Sequence, residues 1–140
     1  FFGDTGFGVQ ANYTLVRGDV GFDNLGSPDE SQFALVGLSD TANLVGLYEN
    51  YGFQARIAYN WRDKYLNETN RGAFANPRYI EDYSQIDVSV SYEVIEDLFV
   101  FFEGLNITGE DSRSHGRNYE MMWDLRDLGP RYTVGARYSF

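Results

Sequence analysis

Cysteine is absent from this chain, which removes disulfide staples and thiolate metal sites from consideration. Proline is scarce, at 3 against 15 glycines, a balance that suits turns between strands better than a disordered segment. Positive charge is outnumbered: 11 Lys and Arg face 21 Asp and Glu, for a net charge of −10. That balance excludes a nucleic-acid binder, which needs clustered cations. Long hydrophobic runs are missing too. The longest, Leu98 to Phe102, falls far short of the roughly 20 residues a spanning helix requires. A spanning β-strand needs only about 9–11 residues, so that route across a bilayer stays open. The chain opens on Phe1 with neither methionine nor a leader-like segment, and the expectation is a mature portion or a piece of something longer.

Aromatic residues are abundant instead. There are 11 Tyr, 11 Phe and 2 Trp, or 17% of the 140 residues, yet mean hydropathy is only −0.41. Aromatic girdles combined with a polar interior and polar loops would produce that mixture. The last ten residues concentrate the signal. Tyr132, Val134, Ala136, Tyr138 and Phe140 alternate with Thr133, Gly135, Arg137 and Ser139, a period of two that places the sets on opposite faces of a strand. This ladder resembles the recognition signal that outer-membrane barrels present to their assembly machinery. An edge strand of a soluble sandwich would show the same alternation.

Further strands follow the same rule. Gly6–Val16, Thr41–Tyr48, Phe53–Trp61, Tyr83–Val94 and Leu98–Ile107 read as strands. Leu98–Phe102 is apolar on both parities, which leaves its facing open. Glu49–Gly52 reads as a tight turn with Asn50 and Gly52 at positive φ, and Ile95–Asp97 as another. The stretches Arg17–Asp40, Asp63–Glu81 and Thr108–Pro130 read as long polar loops. About six antiparallel strands, joined by connections that alternate long and short, match a transmembrane β-barrel with long outer loops and short periplasmic turns. Six cannot close, since the smallest such barrels have about eight. The expected fold is therefore all-β: an up-and-down meander forming part of a larger barrel, with residues 1–140 as one segment.

Several short patterns carry a family resemblance. They are Gly6-Phe7-Gly8-Val9-Gln10-Ala11-Asn12-Tyr13-Thr14, Tyr48-Glu49-Asn50-Tyr51-Gly52-Phe53 with Tyr59-Asn60-Trp61-Arg62-Asp63, and Glu103-Gly104-Leu105-Asn106-Ile107-Thr108-Gly109-Glu110. Together with Phe140 they resemble the late barrel of TonB-dependent outer-membrane receptors. Ile107 and Gly109 depart conservatively from the family's usual Asn-Leu-Thr-Asp-Glu. The resemblance implies the carboxyl-terminal part of a 22-stranded barrel plugged by its own amino-terminal domain, in the outer membrane of a Gram-negative cell. It implies active import of a scarce small molecule, a carbohydrate or a siderophore-like ligand, with energy from the TonB complex, which the missing amino-terminal part would contact. Lipid, lipopolysaccharide and the barrel-assembly machinery are the other implied partners, with no cofactor and no catalysis. The Asn106–Asp111 segment looks closer to the carbohydrate-associated branch.

Candidate chemistry in the residues themselves is thin. His115 lies in a Ser-Arg-Ser-His-Gly-Arg stretch that reads as a solvated loop, because neighbours in sequence do not make a catalytic triad. Glu110, Asp111, Asp124 and Asp127 lack calcium-loop spacing, so no metal is expected. Tyr119 and Trp123 are candidates for stacking on a ligand or for an aromatic girdle. Arg56, Asn60, Arg62, Gln85, Asp87 and Glu93 are expected to line the lumen, with Arg56 near Ser91 or Glu93 and Arg62 near Gln85 or Asp87. A soluble all-β binding module, such as a sugar-binding sandwich, and a small outer-membrane enzyme using His115 remain as alternatives.

Overall fold

In a computed structural model, which describes residues 5–18, 21–27, 32–71 and 76–139, the chain is all-β with no helix beyond a single turn. Ten strands are described: β1 Phe7–Thr14, β2 Thr41–Asn50, β3 Phe53–Arg62, β4 Tyr65–Arg71, β5 Asn76–Ile80, β6 Tyr83–Ile95, β7 Leu98–Leu105, β8 Ser112–His115, β9 Met122–Arg126 and β10 Arg131–Tyr138. Six of them form one antiparallel sheet in the order β1-β2-β3-β6-β7-β10. The other four form a second sheet, β4-β5-β8-β9. This corrects the reading of 63–81 and 108–130 as plain loops. Each carries a hairpin whose two strands continue the chain out of one first-sheet strand and into the next. Leu66, Thr69, Tyr79 and Ile80 had the right chemistry, but Asn and charge between them hid the period.

The first sheet is open, with β1 and β10 as its edges. Two connections at one end are two-residue turns. Asn50 pairs Phe53 across the first, and the positive-φ positions are Tyr51 (50°) and Gly52 (74°), not Asn50. Two successive left-handed residues give the turn whose twist matches a hairpin. Register decides who occupies them, because ten paired residues per strand leave Tyr51 at the tip. Glu96 and Asp97 make the second turn, with Asp97 at 66°.

The Glu103–Glu110 pattern is explained by the end of β7. Asn106 sits at φ 51°, a conformation Asn tolerates better than most residues. Its side chain donates to the Glu110 carbonyl (3.0 Å) and accepts from the Glu110 amide (3.0 Å). Asp87 accepts the Asn106 amide at 2.9 Å. The segment thus stops the strand and ties it to β6.

The core is very small. Among the described residues the buried hydrophobic side chains are Val45, Ala58 and Leu66. The close strand-to-strand contacts run between hydrogen-bonded neighbours within one sheet.

Candidate functional site

Pairing register assigns every residue of the first sheet to a face, because cross-strand partners share a side. One row reads Phe7, Tyr48, Ala55, Val90, Phe102, Val134 from edge to edge. The next reads Val9, Gly46, Ile57, Val88, Gly104, Tyr132. Ala11, Leu44, Tyr59 and Ile86 form a third, and Tyr13, Ala42, Trp61 and Ser84 a fourth. No Asp, Glu, Lys or Arg occurs in these rows. They are nonetheless open: Val134 is 79% exposed, Val9 60% and Ile57 52%. Aromatic contacts knit the surface, with Phe7 on Tyr48 at 4.6 Å and Phe102 stacked on Tyr132 at 6.0 Å.

The expected ladder residues Tyr132, Val134, Ala136 and Tyr138 all fall on this face; Phe140 lies outside the described residues. Val100 and Phe102 point the same way, whereas Phe99 and Phe101 share the other face with Glu93 and Ser91. That settles the facing of the doubly apolar run.

The opposite face holds the six residues expected along the lumen. Its rows include Gly8, Leu47, Arg56, Ser89, Glu103 and Thr133, and Asn12, Asn43, Asn60 and Gln85. Asn43 donates its side-chain amide to Asn60, and Gln85 accepts from the Tyr83 hydroxyl and donates to Asp87 at 2.7 Å. Facing was read correctly but register was not. Arg56 lies opposite Ser89 and Arg62 opposite Tyr83, two residues from the nearer expected partners, Ser91 and Gln85, and four from Glu93 and Asp87, an even slip that preserves the face. Arg62 reaches away from Asp87, donating to Ser39 Oγ (2.9 Å) and the Gly37 carbonyl (2.8 Å) while covering the Tyr65 ring at 3.8 Å.

The second sheet also has two distinct faces. Leu66, Tyr79 and His115 form one row. His115 is buried at 5% exposure, stacked on Tyr79 at 5.3 Å and tilted against Tyr119 at 5.6 Å. The expectation of a solvated loop histidine is thereby overturned: a strand inserts it between two rings. Its Nδ1 meets the Gly116 carbonyl at 2.9 Å. Among the described residues, no acid or nucleophile bonds its other nitrogen.

Tyr119 belongs to a polar clamp at this edge. Arg113 covers its ring at 4.3 Å and pairs with Glu81 at 3.2 Å. A hydrogen bond to the Glu81 carboxylate pushes the Tyr119 hydroxyl pKa upward. Trp123 donates its indole N–H to the Pro77 carbonyl at 3.2 Å. Both aromatics thus have partners within the sheet, while Tyr119 stays 58% exposed.

Arg117 fastens the β1–β2 connection to this region. It donates to the carbonyls of Asn24 (2.8 Å) and Gly26 (3.1 Å) and to Asn76 Oδ1 (3.0 Å). Tyr79 adds a bond from its hydroxyl to Asn24 Oδ1, and burial pushes its pKa up.

The other row runs Tyr65, Ile80, Ser114, Asp124. Beside it Arg78, its side chain 12% exposed, donates to Ser114 Oγ and Asp124 Oδ2, both at 3.2 Å. Glu68 stands 3.8 Å from Arg78, and Arg126 donates to Asp124 at 2.9 Å. Asp124 is therefore an ion-pair partner. No cluster of three or more His, Asp or Glu able to hold a metal occurs among the described residues. A cleft of about 240 Å³ opens over this network. Sequence reasoning missed Arg78 and Arg117, because a lone Arg between Pro and Tyr, or after Gly, carries no local signal of long-range pairing.

No family model, curated protein or solved structure matches the chain.

Proposed function

We propose that this chain is a wall segment of an outer-membrane β-barrel, by its sequence patterns the carboxyl-terminal part of a 22-stranded TonB-dependent receptor that imports a scarce small molecule. The observation that carries the reading is the charge-free apolar face spanning all six strands of an open sheet. In water such a face is costly at roughly 25 cal/mol per Å² of apolar surface, and contiguous exposed patches beyond a few hundred Å² mark a missing contact. Lipid supplies that contact without a second layer. Both sheet edges then need further strands, since an unpaired backbone group in hydrocarbon costs several kcal/mol.

The other assignments carry the receptor resemblance onto this sheet. Lipid and lipopolysaccharide meet the apolar face, and the receptor's own plug meets the wall around Arg56, Asn60 and Gln85. The TonB complex acts through parts of the receptor outside this segment, and the assembly machinery reads the terminal ladder. The two-residue turns fall on the periplasmic side and the hairpins of the second sheet outside, where a ligand arrives. In this reading Asp124, bonded by two guanidiniums, and His115, packed between two tyrosines, are structural side chains of the segment.

The test is fractionation of cells expressing the full-length protein. A heat-modifiable band in the outer-membrane fraction is expected. Recovery of the folded protein in the soluble periplasmic fraction would overturn the proposal.

A further inference from the structure

We infer that His115 is an acid-sensitive latch: a proton gained by its ring releases residues 21–27 of the β1–β2 connection from the second sheet. The device needs no membrane contact, so it stands or falls apart from the barrel reading.

The surroundings of the ring offer nothing to a second proton. A carbonyl can only accept, so the Gly116 contact at 2.9 Å fixes the hydrogen of the neutral ring on Nδ1. Nε2 is then a bare acceptor, buried and without a hydrogen-bond partner among the described residues. The hydroxyls of the two flanking rings are committed elsewhere, Tyr79 to Asn24 and Tyr119 to the Glu81 carboxylate. Protonation therefore buries a charged N–H with no acceptor, a heavier loss than a neutral orphan.

Charge works in the same direction. An aromatic face attracts a cation, but each flanking ring already holds one. Lys64 Nζ lies 5.8 Å from the Tyr79 centroid, and the Arg113 guanidinium 4.3 Å from that of Tyr119. An imidazolium adds a third positive charge to this stack, with Arg117 two residues further along the chain. Glu81 is the carboxylate bonded into the group, shared by Arg113 and Tyr119, and Asp82 acts on Tyr119 at a distance. The neighbours in the row are uncharged: β4 brings Leu66, and β9 sets Met122 opposite His115.

The bonds that hold the connection hang from the same ring. Tyr79, stacked on His115 at 5.3 Å, donates to Asn24 Oδ1. Arg117, at the tip of the β8–β9 hairpin, donates to the Asn24 and Gly26 carbonyls and to Asn76 Oδ1. Gly116 joins the two, closing that tip with its amide on the Met121 carbonyl at 2.7 Å. Displacing His115 from the stack thus disturbs both donors at once. The turn within the connection survives release, because Asp23 accepts the Leu25 amide through Oδ1 (2.8 Å) and the Gly26 amide through its carbonyl (3.3 Å). Residues 21–27 leave as a unit.

The released state holds a proton that the docked state excludes, so docking weakens as pH falls. Imidazole gains its proton between about pH 8 and pH 5, above the range in which an ordinary carboxylate titrates. On the outer side of the proposed barrel the latch answers to the pH of the medium.

The experiment places one nitroxide at Leu25→Cys, a position 95% exposed, in the full-length protein in detergent micelles. Its line shape is read from about pH 8 to about pH 5. A restricted spectrum should give way to a mobile one, the mobile fraction rising about tenfold or more. His115→Phe keeps a ring that takes no proton, and His115→Gln keeps a donor for the Gly116 carbonyl without a ring; in both, the spectrum should cease to depend on pH. Arg117→Ala should be mobile already at the upper end. A parent spectrum flat across the interval, a pH response that survives in both His115 variants, or a restricted spectrum in Arg117→Ala would each overturn the inference. The full response in a protein that stays out of the outer-membrane fraction would leave the latch standing and defeat only the barrel reading.

Discussion

Placing an arginine at position 134 separates the barrel from a soluble sheet more sharply than any core substitution. Val134 is 79% exposed and pairs with Phe102 in the row that ends at Phe7. It packs against little, so on a water-soluble protein Val134→Arg is a surface change worth within about ±0.5 kcal/mol. In a lipid-facing wall the same change puts a guanidinium near the hydrocarbon midplane, with Tyr132 and Tyr138 two and four residues away along the same face. The cost there is about 2–4 kcal/mol, or roughly 30- to 900-fold in the folding equilibrium at 1.36 kcal/mol per decade. Thr133 provides the control, one residue away on the opposite face, paired with Glu103. Thr133→Arg should cost less than about 1 kcal/mol, with a cross-strand attraction to Glu103 of about 0.2–1 kcal/mol in its favour. The assay is reversible urea folding of the full-length protein into lipid vesicles, followed by heat modifiability. Equal stability of the two variants would refute the assignment of faces to lipid and lumen.

Other outcomes follow from single contacts. Gly135 lies under Phe101, whose ring tip is 2.4 Å from where a Cβ would stand; Gly135→Val should cost about 1–3 kcal/mol by overpacking, largely recovered in the urea midpoint by adding Phe101→Ala. Asp40 accepts the Val16 amide and the Tyr13 hydroxyl, both at 2.8 Å, and these bonds, the Val16 amide foremost, hold its pKa below the ordinary 3.8. A depressed carboxylate contributes stability that is complete above its unfolded value and lost as pH falls through the folded one. Protection of the Val16 amide from exchange should therefore drop below pH 3.8 in the parent and stay flat with pH in Asp40→Asn. Arg117→Ala removes charge-assisted bonds to two loop carbonyls, and limited proteolysis within residues 21–27 should accelerate about tenfold or more.

Period-two alternation made most of the first sheet legible, because β1, β3, β6 and β10 carry a two-sided pattern whose apolar set is free of charge; β7, apolar on both parities at Leu98–Phe102, took its facing from the register. Facing came out for Arg56, Asn60, Gln85 and Asp87 because face is a parity and survives a two-residue slip. Register did not, since which residue sits at a hairpin tip depends on the whole ladder: Tyr51 took the left-handed position that Asn50 favours by propensity. The second sheet stayed hidden for another reason. Both of its faces hold polar groups, satisfied on one by Arg78, Ser114 and Asp124 and on the other by Arg113 and Glu81, so hydrophobicity never alternates. His115 was misplaced with it, since Ser, Arg and Gly neighbours describe a loop until a strand puts tyrosines on both sides of the ring.

The central claim, that one face of this sheet meets lipid and the other water, is tested most directly on β6. The chain has no cysteine of its own, so Val88→Cys, Ser89→Cys, Val90→Cys and Ser91→Cys in the full-length protein can each carry one nitroxide label. In lipid vesicles, paramagnetic relaxation by oxygen should peak at 88 and 90, and relaxation by a water-soluble nickel chelate at 89 and 91. Nickel accessibility that is uniform across the four positions, or that peaks at 88 and 90, would contradict the account.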